Sequence, residues 1–271
     1  MKKKFSSFTD IVYRVLSYPY PYRVALMRLF MQKVPSYRPH YLACMFEAAR
    51  LASELGHTTV SVIEFGVAGG NGILALERYG AIVERKSGVR FQIHGFDMGD
   101  STGLPASDDP RDLLYLWQPG DYKMDESALR KRLSGSKLYL GNVADTIEQF
   151  AQDNPPPLAM CIFDLDYYSS TASALKLFDI KVLETLPRVT CYFDDVDVSS
   201  RFNGVLGAIA DFNTTHDEKK IFRMEGHYHH QTFGMLYNRV MHMHDFRHSQ
   251  YNRYIAGITA TELPIAGQSS G

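Results

Sequence analysis

Two short acidic clusters carry the densest chemistry in this chain. Asp164-Leu165-Asp166 closes the apolar run MCIF, and Asp194-Asp195 closes TCYF. Both runs read as buried strands, and in a parallel α/β sheet the residues just past the carboxyl ends of strands open onto the crevice where ligands bind. Four carboxylates in one crevice repel one another and resist ionising unless a cation sits among them, so the pattern calls for a divalent metal with oxygen ligands. Capping is the competing use of the same residues: Asp166 or Ser169 could start the helix at SSTASALK, and Asp197 could close a turn after TCYFDDV. Two acidic clusters on successive strand ends favour the metal. Residues two apart on a strand share a face, which leaves open whether Asp164 or Asp166 meets the ion.

A second constellation lies upstream. Glu64, Gly66, Gly70 and Gly72 form E-x-G-x-x-x-G-x-G between the β-branched run TTVSVIEF and the helix-like ILALERYGAIVERK. Glycines there let the backbone approach a ligand closely and turn sharply into the helix. The dinucleotide fingerprint is G-x-G-x-x-G instead. An acid two residues ahead of the first glycine is closer to the opening loop of class I methyltransferases, in which the acid braces the loop and the glycines pack against S-adenosylmethionine. Asp97, at the end of FQIHGFD, stands where an acid would accept hydrogen bonds from ribose hydroxyls, or where it would cap the turn FDMGDS. The histidines are a rival: His227, His229, His230, His242, His244 and His248 could build a zinc site, but no cysteine joins them and H-E-x-x-H is absent. GHYHHQ reads instead as an exposed or substrate-facing connection, with His227 as the alternative base.

The elements that must hold these residues alternate. Apolar spacing predicts a helix from Arg38 to Leu55 closed by Gly56, then the strand, glycine loop and helix above, and then FQIHGFD. Residues 98–125, with Pro105, Pro110, Pro119 and Gly120, are too long for an ordinary connection and read as a lid or substrate loop. Helix ESALRKRL, strand KLYLG, helix VADTIEQFAQD, strand LAMCIFDLD, helix SSTASALKLFDIKVLETL, strand TCYFDDV and helix GVLGAIADFNTT follow. KIFRME and TFGMLYN are the last expected strands, an antiparallel edge hairpin; past Asn238 no period is visible. Strands alternating with helices specify an α/β fold with a mainly parallel sheet covered on both faces. Residues 1–40 read as an N-terminal helical cap or subunit contact, 41–240 as the main domain, and 241–271 as a C-terminal extension with a frayed tail.

Lys and Arg total 29 against 30 Asp and Glu, a net charge of -1, so no basic field draws the chain to nucleic acid and a small molecule is the better partner. Cys44, Cys161 and Cys191 are odd in number, and two lie in expected strands, which suits a reducing, cytoplasmic setting without disulfides. The polar FSSFTD after Lys2, Lys3 and Lys4 offers no secretory core. The stretch from Ile11 to Val34 is interrupted by Arg14, Arg23, Arg28, Lys33, Pro19 and Pro21 and cannot span a bilayer, so a homo-oligomer contact is the favoured role for this segment.

IEFGVAGGNG, GFD with GLP downstream, FDLDYYSST and YFDDV together resemble the macrocin-type O-methyltransferases of macrolide and aminocoumarin biosynthesis. The resemblance covers residues 61–196. It implies a Rossmann-like class I methyltransferase fold with a seven-stranded sheet, and S-adenosylmethionine on the glycine loop and Asp97. It also implies magnesium held by Asp164, Asp194 and Asp195, with Asp166 as the base for a hydroxyl of a sugar or glycosylated small molecule. GFDMGDSTGLP carries extra residues relative to that family, and neither the region before Tyr41 nor that after Asn238 matches it, so the acceptor does not transfer. Two other readings stay open. An NAD-dependent sugar oxidoreductase or epimerase would use the glycine loop for pyrophosphate, but its usual Y-x-x-x-K pair is absent. A non-catalytic adaptor on a methyltransferase-like domain would not need the acids.

Overall fold

The computed structural model describes residues 38–99, 103–223 and 239–255. The expected strand TFGMLYN, the histidines of GHYHHQ including His227, and residues 1–37 lie outside the described residues.

Strands β1 (Thr59–Phe65) and β4 (Leu158–Phe163) are buried from Val60 onward and throughout, respectively, which is why they read as unbroken apolar runs. Between and around them run α1 (Pro39–Leu55), α2 (Asn71–Ser87), β2 (Arg90–Asp97), α3 (Glu126–Arg130), β3 (Lys137–Leu140) and α4 (Val143–Gln152). After β4 come α5 (Tyr168–Leu175), β5 (Thr185–Phe193), α6 (Gly204–Thr215), β6 (Lys219–Arg223) and β7 (Val240–Asp245). The sheet order is β3-β2-β1-β4-β5-β7-β6. The first five strands are parallel and β7 runs antiparallel to both β5 and β6. One core packs α1 and α2 on one face of the sheet; the other packs α4, α5 and α6 on the opposite face. Gly56 ends α1 at φ 90°, the left-handed cap expected of it.

The α/β class and the antiparallel edge stand as expected, and two details differ. The last strand lies past Asn238, where no strand was expected: β7 sits inside the sheet and alternates Met241 and Met243 with His242 and His244, and both faces are buried, so its histidines sit in the core and not on a polar surface. Residues 241–245 thus belong to the sheet and not to an extension. The helix expected over SSTASALKLFDIKVLETL stops at Leu175. A 3-10 turn, Lys176–Asp179, then folds Leu177 and Phe178 into the core, while Val182, which a continuing helix would need to bury, is 71% exposed. Pro187 sits within β5 where the pairing with β4 is irregular, the place a strand tolerates a missing N–H.

Candidate functional site

Side-chain alternation along β1 sends Val60, Val62 and Glu64 to the α1/α2 face. Glu64 is therefore a buried acid, 1% exposed, with Oε1 accepting from the Tyr41 hydroxyl at 3.1 Å and Oε2 without a partner among the described residues. Burial, and then the nearby Asp164 charge, push its pKa up to about 8. Helix α2 brings Gly72 so close to this carboxyl that a Cβ there would overlap it. Gly66 is constrained twice over. Its φ is 84°, and a side chain would run into the Asp164 carbonyl. Main-chain bonds explain the tightness: Gly66 N–H donates to Phe96 at 2.9 Å, and Asp164 N–H donates to Phe65 at 3.0 Å. Gly70 is the N-cap of α2.

Asp97 anchors the same loop from β2. Its Oδ2 accepts from the Val67 and Ala68 amides at 3.0 and 2.8 Å, and its Oδ1 accepts from Gly99 N–H at 2.9 Å. It is thus both turn cap and loop brace, and it still lines the cavity above the loop.

The two acidic clusters converge. Asp164 follows β4 directly, and Asp194 and Asp195 open a 3-10 turn, Asp194–Val198, at the end of β5. One oxygen from each of the three lies within 4.8 Å of the others, and among the described residues this is the only such group of His, Cys, Asp or Glu. Burial, followed by Asp194 and Asp195, raises the Asp164 pKa to about 7. Asp195 rises to about 6 through burial and then Asp194. Asp194 is held by the Tyr192 hydroxyl at 2.7 Å and by Arg239 at 2.6 Å, and Arg239 also pairs with Asp197 at 2.8 Å. Asp166 sits at φ 60° in a γ-turn closed by Tyr167 N–H to the Leu165 carbonyl at 2.5 Å. Such a turn is strained for a non-glycine residue, by about 1–3 kcal/mol. Burial followed by Asp195 and Asp164 pushes its pKa to about 8.

Residues 103–125 supply another wall. Leu104, Pro105, Trp117 and Tyr122 line the cavity, and the segment is fastened to the acidic side by Asp112, fully buried, which accepts from Ser169 N–H and Oγ, both at 2.7 Å, and from Ser107. Arg111 stacks 3.7 Å over the Tyr168 ring. The cavity measures about 720 Å³, within the range of roughly 300–1,000 Å³ usual for small-molecule sites. Glu64, Gly66, Gly72, Asp97, Asp164, Asp166, Asp194 and Asp195 all border it.

The histidines do not form a rival centre among the described residues. His242 and His244 are buried within β7; His244 stacks on Phe222, and its Nδ1 bonds the Tyr251 hydroxyl at 2.7 Å. Sequence reasoning missed Arg38, Asp112, Tyr192 and Arg239. Asp112 lay in a polar loop and Arg239 in an unpatterned segment, where nothing local marks a long-range partner.

Neither protein-family models nor curated proteins give a match to this chain. Among solved structures it is similar to the calicheamicin methyltransferase CalS11, at 20% identity and TM-score 0.54 over 89% of this chain and 94% of that one. The apo structure of CalS11, described as a TDP-rhamnose 3'-O-methyltransferase, gives 19% identity and TM-score 0.46 over 89% and 96%. The plantazolicin methyltransferase BamL gives 10% identity and TM-score 0.41 over 86% and 93%. The fold is the Rossmann-like class I methyltransferase fold. A doubly wound dinucleotide sheet would run 3-2-1-4-5-6 in parallel, without the antiparallel β7 between β5 and β6.

The residues suit both groups that such a fold suggests. Three crowded carboxylates, with Asp195 Oδ2 buried and unpartnered among the described residues, form an all-oxygen donor set suited to a hard dication. The main chain of Gly66 to Gly69 and the carboxylate of Asp97 line the cavity on the loop side, a lining suited to a nucleoside.

Proposed function

We propose that this chain is an S-adenosylmethionine-dependent O-methyltransferase, assisted by magnesium, that acts on a hydroxyl of a sugar or glycosylated small molecule. The observation that carries the reading is the convergence of Asp164, Asp194 and Asp195 on one side of the cavity whose other side is the glycine loop of a methyltransferase fold. Its similarity in fold to a calicheamicin methyltransferase supports a small-molecule acceptor.

When bound, S-adenosylmethionine supplies a methyl group on a cationic sulfur, and a dication beside it makes a nearby hydroxyl more acidic. This chain does the rest. Gly66 and Gly72 let the loop and α2 close tightly on Asp164 and Glu64 and so shape the donor side, and Asp97 offers its one remaining lone pair, on Oδ1, to a ribose hydroxyl. Asp164, Asp194 and Asp195 would hold the metal, with Arg239 and Tyr192 fixing Asp194. Asp166, held aside by its γ-turn and raised in pKa to about 8, takes the proton from the acceptor oxygen as the new bond forms. Leu104, Trp117 and Tyr122 wall off water and align acceptor with donor, on which in-line transfer depends. His227 is the alternative base.

The test is transfer of labelled methyl from S-adenosylmethionine to a panel of nucleotide-linked 6-deoxysugars and glycosides, with and without EDTA. Incorporation that needs magnesium supports the reading. Undiminished incorporation in EDTA removes the metal, and reduction of NAD in place of methyl transfer removes the reading altogether.

A further inference from the structure

Arg38 stands just ahead of α1, its main-chain N–H donating to the Tyr79 hydroxyl at 3.0 Å and its guanidinium 5.2 Å from the centre of the Tyr41 ring. It borders the same cavity as the glycine loop and lies in the field of Glu64, Asp164 and Asp194. Among the described residues, that guanidinium forms no ion pair or hydrogen bond. An arginine keeps its charge at any ordinary pH and presents a planar fork of donors matched to a carboxylate or phosphate. Half-buried on a cavity wall, it is one half of an ion pair.

Glu64 is incomplete in the opposite sense. Its Oε2 is buried and lacks a donor, while its Oε1 is held by Tyr41. Tyr41 therefore touches both groups, hydroxyl to the acid and ring face to the guanidinium, and sets the spacing between them. A ligand that completes both must carry a cation and an anion side by side on a small frame. The amino-acid end of S-adenosylmethionine, an α-ammonium next to an α-carboxylate, is such a frame. A phosphate of a nucleotide-linked acceptor would complete only Arg38.

Resting on the methyl-donor reading above, we infer that Arg38 binds the α-carboxylate of the donor's amino-acid end, with Tyr41 holding it in register with Glu64. Arg38 is thus a donor-binding residue that discriminates for the intact methionyl tail and takes no part in proton transfer.

Calorimetry on the full chain tests this with three ligands: S-adenosylhomocysteine, which carries the tail; 5'-methylthioadenosine, which lacks it; and thymidine diphosphate. Arg38→Met should lose about 10- to 100-fold in S-adenosylhomocysteine affinity, the usual worth of a charge-assisted pair, with methylthioadenosine unchanged within about twofold. Arg38→Lys, which keeps the charge without the fork, should fall between. Equal S-adenosylhomocysteine affinity in wild type and Arg38→Met overturns the assignment, as does an equal loss of both nucleosides, which would make Arg38 a support for the cavity's shape. A loss confined to thymidine diphosphate moves Arg38 to the acceptor side. A wild-type protein that binds neither nucleoside sinks the donor reading itself, an outcome distinct from the other three.

Discussion

Asp97 and Asp164 end two parallel strands of one sheet, border one cavity, and live in opposite surroundings. Asp97 has its charge met by three main-chain amides, of Val67, Ala68 and Gly99. Asp164 is pressed against Asp194 and Asp195 and is pushed up to about 7 by burial and their charges. The first acid has three of its four lone-pair sites filled by the chain that surrounds it and holds a loop in place while keeping one for a ligand. The second, like Asp195 beside it, is pushed toward its protonated form unless a cation joins the cluster. The same residue type thus serves as scaffold on the β1/β2 side and as a candidate ligand on the β4/β5 side.

The largest effect should come from removing the unfinished acids. Asp164→Ala or Asp194→Ala should cut methyl transfer by about 100-fold or more, with S-adenosylhomocysteine affinity within about threefold by calorimetry. Full activity in both variants would break the contrast. Asp97→Ala should do the reverse, weakening S-adenosylhomocysteine by about tenfold and destabilising the fold by about 2 kcal/mol, since three amides lose their acceptor. An unchanged affinity there would take Asp97 out of the donor site.

Proton linkage sharpens the same contrast. Glu64, Asp164, Asp166 and Asp195 have folded-state pKa values of about 8, 7, 8 and 6, above ordinary carboxylate values. Burial lowers the pKa of His40, His94, His242 and His244, which offsets their effect below about pH 6.5; between about pH 6.5 and pH 8 the folded state binds more protons than the unfolded state, and stability falls as pH rises through that window. Thermal melts in EDTA should show Tm dropping from about pH 6.5 to pH 8, with magnesium restoring part of the loss at pH 8. Asp164→Asn should flatten the slope. A Tm that rises with pH over this range would contradict the assignment of repulsion.

A smaller effect concerns Gly72. Alanine in place of glycine within a helix ordinarily gains about 1 kcal/mol, but here its methyl would overlap the Glu64 carboxyl and should cost about 1–3 kcal/mol. In urea melts Gly72→Ala should be destabilised alone and substantially rescued by Glu64→Ala; additive losses would show that the two do not meet.

Local pattern carried much of this fold and site. The apolar runs of β1 and β4 ending in an acid or a glycine, and the helix closed by Gly56, are statements about neighbours in the chain, and they were readable. So was the convergence of Asp164 with Asp194, because parallel strands bring their carboxyl ends to one edge. β7 was not read, since its alternate positions are the histidines His242 and His244, which suggest ligands or an exposed face and are instead buried in the sheet. Arg239 reaches Asp194 and Asp112 reaches Ser169 across 45 and 57 positions, distances over which composition is silent. The left-handed turn at Asp166 was equally hidden, because aspartate is ordinary at a strand end and its φ of 60° comes from the surrounding hydrogen bonds.

The central claim is that Asp164, Asp194 and Asp195 form one dication site. Calorimetric titration of metal-free protein with magnesium chloride tests it most directly. The account predicts one site per chain, lost in Asp164→Asn and Asp195→Asn and kept in Asp97→Asn. Absence of magnesium binding in the wild type, or equal binding in all four proteins, would contradict it.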